Sequence, residues 1–461
     1  MNNSTAILLT LLFYKIILIL IGLWANKRTN STSDYFLGGR SLGPWVAAIS
    51  ASASSSSAWT LLGVSGAAYL WGLPAIWLIP ATISGFYFNW YFIAPALRIY
   101  SKKINAITLT DILSTDYEGN SVKEIRWFSS LIILFCFIFY IASQFDAAGQ
   151  SFQSTFGINK DISIIIGAGI ILIYTLLGGF WAVSVSDTLQ GIMMALSAII
   201  LPLIALFQVG PINIIENLSQ QDIFSSPNGS GGIIALGFIL GTMGIGIGYP
   251  GQPHVVNRFM AIDSDENINN ARKIAILWAF IIYPGMVVLG WSGRILTEIS
   301  THEQIMIVMS SQLLPPILSG IILAAVLSAI MSTADSQLLV ASSSISHDLN
   351  NKGNELSLNQ TRIIVLLICA ISAAMAIFID KSIYSRVLFA FSAMGSAFGP
   401  LLIGRLNGDV KTKYALAAIL VGFFGTLFFY YSDLKPEGNP FERILPFVIS
   451  SLIVYMGMKK E

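Results

Sequence analysis

One apolar stretch of the sequence carries a stripe of oxygen-bearing side chains that suits a cation. A helix there, at 100° per residue, places these residues on one face, with the acid at its edge: Ala329, Ser332, Thr333, Ser336 and Asp335. Hydroxyl and carbonyl oxygens are the ligands that a hard cation such as Na⁺ takes. Hydroxyls alone are a weak signal, because Ser and Thr often bond back to their own helix. A carboxylate at membrane depth is costly and is usually functional.

Three acids lie within or at the edges of long apolar stretches, and they differ in what they indicate. They are Asp146, Asp187 and Asp335. Asp187 and Asp335 would favour a second cation, closer to the cytoplasm than the first. The alternative for Asp187 is a solvated position at a helix start. For Asp146, a structural hydrogen bond and a role in transport are both open.

The residue combinations of enzyme active sites do not occur in this sequence. It has no nucleophile–base pair, no phosphate-binding loop and no spaced metal cluster. The three histidines are far apart and lie in or near expected loops: His254, His302 and His347. Cys136 and Cys369 sit inside apolar runs and offer no disulfide framework. We therefore expect a protein that is not an enzyme.

The composition predicts that membrane-spanning helices carry these polar groups. Of 461 residues, 55% are hydrophobic and only 11% are charged, whereas soluble domains are about a quarter charged. The mean hydropathy is +0.73. A net charge of +1 argues against nucleic acid as a partner. We expect an all-α polytopic protein of the plasma membrane, with the lipid bilayer around it and no obligate protein partner.

Thirteen apolar runs are long enough to cross a bilayer, which takes about 20 residues. They lie at about 4–26, 43–71, 74–99, 125–155, 159–179, 184–208, 231–256, 271–298, 317–347, 361–380, 386–404, 413–432 and 440–458. The first run lacks the charged start and cleavage site of a signal peptide. Lysine and arginine are about three times more frequent in the loops of one side, which predicts an outside N-terminus and a cytoplasmic C-terminus.

Two of these runs contain sequences that interrupt helices. The second holds a run of serines and alanines at 50–58, and the seventh concentrates glycines and prolines at 241–253. Proline removes a helix hydrogen bond and glycine weakens the helix, so both runs could unwind at mid-membrane. Interruptions at matching positions of two halves are typical of inverted-repeat transporters. The alternative is that small residues merely allow close helix packing.

These matching interruptions predict one transmembrane domain over residues 1–461. The two core repeats would cover about 43–208 and 231–404, and each would begin with an interrupted helix. Peripheral helices would lie at 4–26, 413–432 and 440–458. Carbonyls freed in the second span, together with the hydroxyls of the ninth, would supply Na⁺ with oxygen ligands without a buried charge.

Four motifs occur in order along the chain. They are DYFLGGRSLGP at 34–44, GGFWAVS at 178–184, GQPH at 251–254 with RFM at 258–260, and MSTADSQLLV at 331–340. Together they resemble the sodium:solute symporter family, and most closely its sodium/proline symporter branch. The resemblance runs from about Asp34 to Leu349 and continues weakly to the end. It implies a five-plus-five inverted-repeat fold, alternating access and inward Na⁺-coupled uptake of a small solute. The solute that the resemblance implies is L-proline.

The resemblance also implies the site residues. The family Na⁺ site maps to the carbonyls of Ala53, Ser56 and Ala329 and to the hydroxyls of Ser332 and Thr333. A second Na⁺ site, found in some relatives, maps to Asp187, Ser332, Asp335 and Ser336. The solute pocket of proline carriers maps to Ser57, Ala58, Tyr140, Tyr249, Pro253 and Ser336. Whether one or two Na⁺ ions are coupled stays open at this point.

Four positions depart from the pattern of the proline carriers. Ser55 replaces an Asp, Ser56 a Met, Ile245 a pocket Trp and Ala58 a Gly. The alternative to proline is therefore another amino acid, a sugar or a carboxylate. A sensory membrane domain is a further alternative, although no soluble domain follows Lys460. A channel fits two interrupted helices around a closed site less well than a carrier does.

Overall fold

The computed structural model describes residues 3–26, 36–116, 119–177, 179–349, 356–379, 382–434 and 436–458, and these form a helical molecule. Within these ranges the β-pairing is limited to isolated bridges such as Leu42 with Ile262. Part of the motif evidence lies outside the described residues, namely Asp34, Tyr35 and Gly178. So do these loop cations: Lys27, Arg28, Lys352, Lys381, Lys435, Lys459 and Lys460.

The first half of the chain contains the first of the two predicted interruptions. Its helices are α1 (Asn3–Asn26), α2 (Pro44–Ala58), α3 (Val64–Trp71), α4 (Leu78–Phe88), α5 (Ala94–Lys103), α6 (Leu109–Ser114), α7 (Lys123–Phe156), α8 (Lys160–Leu177), α9 (Phe180–Val209) and α10 (Pro211–Leu218). One π-helical turn, Trp59–Gly63, joins α2 to α3, and another, Asn89–Ile93, joins α4 to α5. The second and third predicted spans are thus each built from two helices.

The second half begins with the other interruption. Its helices are α11 (Gly232–Ile247), α12 (Pro253–Ala261), α13 (Asp265–Leu296), α14 (Ile305–Leu313), α15 (Pro316–Ser343), α16 (Leu358–Phe378), α17 (Ile383–Asn407), α18 (Thr412–Tyr431) and α19 (Leu445–Gly457). A π-helical turn, Ser344–Asp348, extends α15. Helices α15 and α17 are the most enclosed of the long apolar helices, so they form the centre of the molecule.

Both interruptions lie where the sequence predicts them. Ser57 has φ 53° and ψ −176°, a conformation that breaks α2 within its serine run. The chain between α11 and α12 makes a single 3₁₀ turn at Tyr249–Gly251, and Gln252 is extended. Left-handed backbone at a non-glycine residue costs about 1–3 kcal/mol and is typical of functional sites. A glycine of α11 also allows close backbone packing. A Cβ on Gly241 would lie 2.0 Å from the Gly438 carbonyl oxygen, so a larger residue would not fit there.

The thirteen predicted runs all contain helix in the described residues, with ends that shift by a few residues. Nine helices of the described part are long and apolar enough to span a membrane. The fold class is therefore confirmed as that of an all-α, multi-pass membrane protein. The count of thirteen crossings and the boundaries of the two repeats stay predictions.

Candidate functional site

The predicted Na⁺ ligands of α2 and α15 meet around the hydroxyl group of Ser332. Its Oγ lies 3.3 Å from the carbonyl oxygens of both Ala53 and Ala329. The neighbouring Thr333 hydroxyl donates to the Ser54 carbonyl oxygen at 2.9 Å. All of these residues are buried. The hydroxyls of α15 are thus hydrogen-bonded to the carbonyls just before the interruption in α2, and the role of this cluster as a Na⁺ site stays a prediction.

Ser56 lies beside this cluster and leads toward the tyrosines. Its carbonyl oxygen accepts a hydrogen bond from Thr60, and its Oγ lies 3.4 Å from the Tyr283 hydroxyl. Neither of these bonds is to Ser332 or Thr333. Ser55, which stands where proline carriers have an Asp, turns its hydroxyl back to the Ser52 carbonyl oxygen at 2.9 Å. The residues of the predicted family Na⁺ site therefore offer neutral hydroxyls and carbonyls, with Ser56 beside the hydrogen-bonded group around Ser332 rather than within it.

Asp187 forms a buried ion pair with an arginine that the sequence analysis did not place in the site. Arg258 Nη2 lies 2.9 Å from Asp187 Oδ2, and both side chains are almost fully enclosed. The Ser50 and Ser54 hydroxyls donate to the same oxygen at 2.8 and 3.1 Å. Asp187 is therefore an acceptor inside the bundle rather than a solvated residue at a helix start. Its role in holding a second Na⁺ stays a prediction.

The same arginine also holds Ser336, the residue predicted for two sites. Arg258 Nη2 donates to Ser336 Oγ at 2.5 Å, and Nε donates to Ser50 at 3.0 Å. Ser336 Oγ donates to the Ser332 carbonyl oxygen at 2.8 Å and lies 3.3 Å from Asp335 Oδ1. Its contacts are thus with the charged cluster rather than with the tyrosines of the predicted solute pocket.

The other predicted pocket residues gather at the two interruptions. The Tyr140 hydroxyl donates to Oγ of Ser57, the residue that breaks α2, at 3.3 Å. The Ala58 backbone N–H donates to Gln144 Oε1 at 3.0 Å. The Tyr249 hydroxyl, in the turn between α11 and α12, lies 3.1 Å from the Tyr283 hydroxyl. The interruption in α2 is therefore held by side chains from α7.

Aromatic rings pack around Tyr249. The Phe391 and Phe86 rings lie 5.0 and 5.2 Å from it, centroid to centroid. Pro253 is buried at the start of α12, and the next residue, His254, lies 6.2 Å from the Tyr140 ring. The sequence analysis did not single out these four neighbours of the predicted pocket residues: Phe86, Gln144, Tyr283 and Phe391. Each lies in an apolar run where no periodic signal separates it from ordinary core.

A cavity of about 350 Å³ approaches the tyrosines from one face of the molecule. Its lining includes Trp71, Phe238, Tyr384, Glu437 and Arg443. The Trp59 ring lies between the cavity and the site, 5.9 Å from Tyr384 and 6.4 Å from Tyr283. A much smaller cavity touches Arg258 and Ser336. An aromatic layer thus separates the larger cavity from the site.

Asp146 holds three helices together through ion pairs. It pairs with Arg386 of α17, both side chains being buried, and with Lys160 Nζ of α8 at 3.1 Å. The hydrogen bonds of the cation clusters do not include it. Of the two roles left open by the sequence, the contacts support the structural one.

We expect Asp146→Asn to destabilise the protein without changing its affinity for Na⁺. Removing one partner of a buried ion pair typically costs about 3–5 kcal/mol, because the other charge stays buried and unpaired. Thermal unfolding in detergent should show a lowered midpoint, whereas Na⁺-dependent uptake by the folded fraction keeps its half-saturating Na⁺ concentration. Asp161→Asn, at the start of α8, is the control. A several-fold change in half-saturation would assign Asp146 to the cation path instead.

Another group of side chains has the composition of a metal site, but most of its carboxylate oxygens already accept hydrogen bonds. Ligand atoms of Asp111, His347 and Asp348 lie within 4.8 Å of one another. Asp111 also accepts from Arg126 at 2.8 Å, and Asp348 accepts from Thr108 at 2.8 Å. Burial alone would raise the pKa of Asp111, but its bond to His347 and the nearby positive charges outweigh burial and lower it to about 2. These contacts describe an ionic network joining α6 to the end of α15.

The chain is similar to known proteins over most of its length. The model of the "Sodium:solute symporter family" matches residues 35–422. The "Osmoregulated proline transporter OpuE" of Bacillus subtilis is 33% identical, over 99% of this chain and 96% of its own. The "Sodium/proline symporter" of Escherichia coli is 35% identical, over 92% and 87%. The "High-affinity proline transporter PutP" of Bacillus subtilis is 37% identical, over 88% of each.

A solved structure of a Na⁺-coupled sialic acid symporter, in a substrate-bound outward-open state, has the same fold. Its TM-score to this chain is 0.79, and the match covers 99% of this chain and 98% of the other. The two sequences are 18% identical. The likeness therefore shows the architecture and carries no argument about the solute.

Proposed function

Since the chain belongs to the sodium:solute symporter family, we propose that it carries L-proline into the cell together with Na⁺. It is a multi-pass membrane transporter with Na⁺ as the coupling ion, and it is not an enzyme. The proline assignment is supported by three relatives named for proline transport, each of which aligns with most of this chain.

The observation that carries the Na⁺ part of the proposal is the hydroxyl–carbonyl cluster between α2 and α15. Na⁺ would take the carbonyls of Ala53, Ser56 and Ala329 and the hydroxyls of Ser332 and Thr333. Neutral oxygens suffice for a monovalent ion, so the site can empty without leaving a buried charge. The ligands come from two helices, and an ion bound between them would favour the conformation that holds these helices together.

For the solute, we propose the space between the two interruptions. It is lined by Ser57, Ala58, Tyr140, Tyr249 and Pro253, whereas Ser336 would act from the neighbouring charged cluster. Tyrosine offers a flat apolar wall for a pyrrolidine ring and one hydroxyl for a polar group. Ser56 would couple the sites, because its carbonyl is a proposed Na⁺ ligand and its Oγ lies 3.4 Å from the Tyr283 hydroxyl.

The decisive experiment is uptake of radiolabelled proline into proteoliposomes under a Na⁺ gradient, with a choline gradient as the control. We expect flux that saturates with both Na⁺ and proline. Inhibition of proline uptake by other amino acids, sugars and carboxylates tests the alternative solutes. These alternatives follow from Ser55, Ala58 and Ile245, which differ from the residues of the proline carriers. Non-saturating flux would indicate a channel. Inhibition by another solute, with no effect of unlabelled proline, would overturn the proline assignment.

Removing the hydroxyl of Tyr140 or Tyr249 is expected to weaken solute binding more than Na⁺ binding. A lost hydrogen bond is worth about 0.5–1.5 kcal/mol, which predicts a rise of roughly 2- to 13-fold in the proline concentration for half-maximal uptake. Tyr140→Phe and Tyr249→Phe keep the ring, so they isolate the hydroxyl. Tyr455→Phe, on an exposed position of α19, is the matched control. Unchanged proline dependence in both pocket variants would place the pocket elsewhere.

We propose that the protein lies in the plasma membrane with its N-terminus outside and its C-terminus in the cytoplasm. The uneven distribution of lysine and arginine among the loops supports this orientation. Terminal epitope tags in right-side-out vesicles provide the test. We expect external protease to remove the N-terminal tag and to spare the C-terminal one, and the reverse pattern would invert the topology.

A second Na⁺ at Asp187, Asp335, Ser332 and Ser336 is the other arrangement that the sequence predicts. It would roughly double the driving force, since each entering Na⁺ gains about 2.3 kcal/mol per 100 mV. Reversal potentials in proteoliposomes distinguish coupling ratios of one and two. A ratio of one that is unchanged in Asp335→Asn would remove this second site.

A further inference from the structure

A lysine of the peripheral helix α1 reaches the core of the molecule. The ammonium of Lys15 donates to the thioether sulfur of Met331 in α15, and it lies 5.6 Å from the centroid of the Tyr14 ring. A thioether is a weak acceptor, and an ammonium within a membrane span is costly unless an anion compensates it. The position of Lys15 therefore calls for a negative partner close by.

The packing of α1 along α15 brings one carboxylate near this lysine. Thr10 lies against Gly320, and the Tyr14 hydroxyl bonds to Ser328, so the two helices run parallel. Met331 is one helical turn before Asp335, and residues at this spacing share a face. The flexible side chain of Lys15 thus reaches α15 at Met331, one helical turn before Asp335.

The charges around Ser336 leave Asp335 without a full partner. Arg258 forms its ion pair with Asp187. Asp335 Oδ1 lies 3.3 Å from the Ser336 hydroxyl, and Oδ2 is buried with no hydrogen-bond partner among the described residues. With all three groups ionised, the cluster carries one negative charge in excess. A positive group on the face of α15 that Lys15 contacts would balance this excess.

We propose that Lys15 is the built-in cation of the second cation position, held opposite Asp335, so that this carrier couples its solute to one Na⁺. The proposal rests on the proposed function in taking the cluster at Ser332 and Thr333 as the site of the coupling ion. The second position then holds two positive groups of the protein itself, Arg258 opposite Asp187 and Lys15 opposite Asp335. A lysine from a peripheral helix would thereby set the stoichiometry of transport.

Binding of ²²Na⁺ to the purified full-length protein tests this proposal without any solute. We expect one Na⁺ per chain in the wild type. Lys15→Met frees the Asp335 carboxylate for a metal cation, so this variant should bind two. Lys15→Met combined with Asp335→Ser should return to one. The Na⁺ dependence of uptake should change in parallel, from hyperbolic in the wild type to sigmoidal in Lys15→Met and back to hyperbolic in the double variant.

Tyr14→Phe is the matched control, because it removes a hydrogen bond of the same helix contact and leaves every charge in place. It should bind one Na⁺. Binding of two Na⁺ ions per chain by the wild type would overturn the proposal. Binding of one Na⁺ per chain by Lys15→Met, with the Na⁺ affinity of the wild type, would overturn it as well. If Lys15→Met fails to fold, recovery of folded protein by adding Asp335→Ser supports the pairing, and no recovery contradicts it. A wild type that binds no Na⁺ contradicts the proposed function itself and this inference with it.

Discussion

Replacing Arg258 with methionine is expected to abolish Na⁺-driven uptake, with a loss of at least about 100-fold. Arg258 donates to Asp187, Ser50 and Ser336, and its removal leaves the buried Asp187 carboxylate without its ion-pair partner. Breaking such a pair costs about 3–5 kcal/mol, which is comparable to a large part of the stability of a domain. Initial rates of uptake and thermal unfolding in detergent should both report the loss.

Two further variants separate the charge from the shape of this side chain. Arg258→Lys keeps the charge but has no planar fork, so it cannot bond several oxygens in the same geometry, and uptake should stay well below that of the wild type. Arg272→Met is the control, because that guanidinium stacks on the Tyr91 ring, 4.4 Å from its centroid, and takes no part in the Asp187 ion pair. Uptake above half of the wild-type rate in Arg258→Met would contradict this prediction.

A second substitution distinguishes the two consequences of losing Arg258. Adding Asp187→Asn to Arg258→Met removes both charges, so the folded protein should regain stability relative to Arg258→Met alone. Uptake should stay low, because the bonds from Arg258 to Ser50 and Ser336 are still missing. Recovery of uptake together with stability would mean that the pair serves only to neutralise charge.

The elements that the sequence predicted well are those whose signal is local. The hydroxyls of Ser332 and Thr333 recur at helical spacing, and the serine run and the Gly–Pro run mark the two interruptions directly. Composition and run length likewise predicted an all-α membrane protein. In each case a few neighbouring residues carry the information, because helix periodicity and helix breaking are local properties.

The parts that the sequence did not predict depend on contacts between distant residues. Arg258 was visible only as part of a motif, since its partner Asp187 lies 71 positions away along the chain. Gln144 and Tyr283 lie in apolar runs, where a polar side chain that lines a site looks like one that is merely buried. Lys15 is a lone charge within the first apolar run, and its position beside Met331 depends on the packing of α1 on α15.

Ser332→Ala and Thr333→Ala are expected to raise the Na⁺ concentration for half-maximal uptake by about 10-fold or more each. Each variant removes one neutral oxygen from the proposed Na⁺ site. A hydrogen bond to a charged group contributes about 1.5–3 kcal/mol, and a loss of about 1.4 kcal/mol weakens binding tenfold. Each variant should also leave a backbone carbonyl oxygen without its hydroxyl partner, that of Ala53 in Ser332→Ala and that of Ser54 in Thr333→Ala. The stability of both variants without Na⁺ should therefore fall as well.

Matched variants on the same helix separate ligation of Na⁺ from packing. Thr333→Ser keeps the hydroxyl, so its Na⁺ dependence should stay near that of the wild type, whereas Thr333→Val keeps the shape and should behave like Thr333→Ala. Ser342→Ala removes a hydroxyl that bonds back to the Leu339 carbonyl oxygen of its own helix, and it should be silent. Uptake measured over a range of Na⁺ at saturating proline gives the comparison. A Thr333→Val variant with wild-type Na⁺ dependence would show that this hydroxyl closes the contact between α2 and α15 without binding the ion.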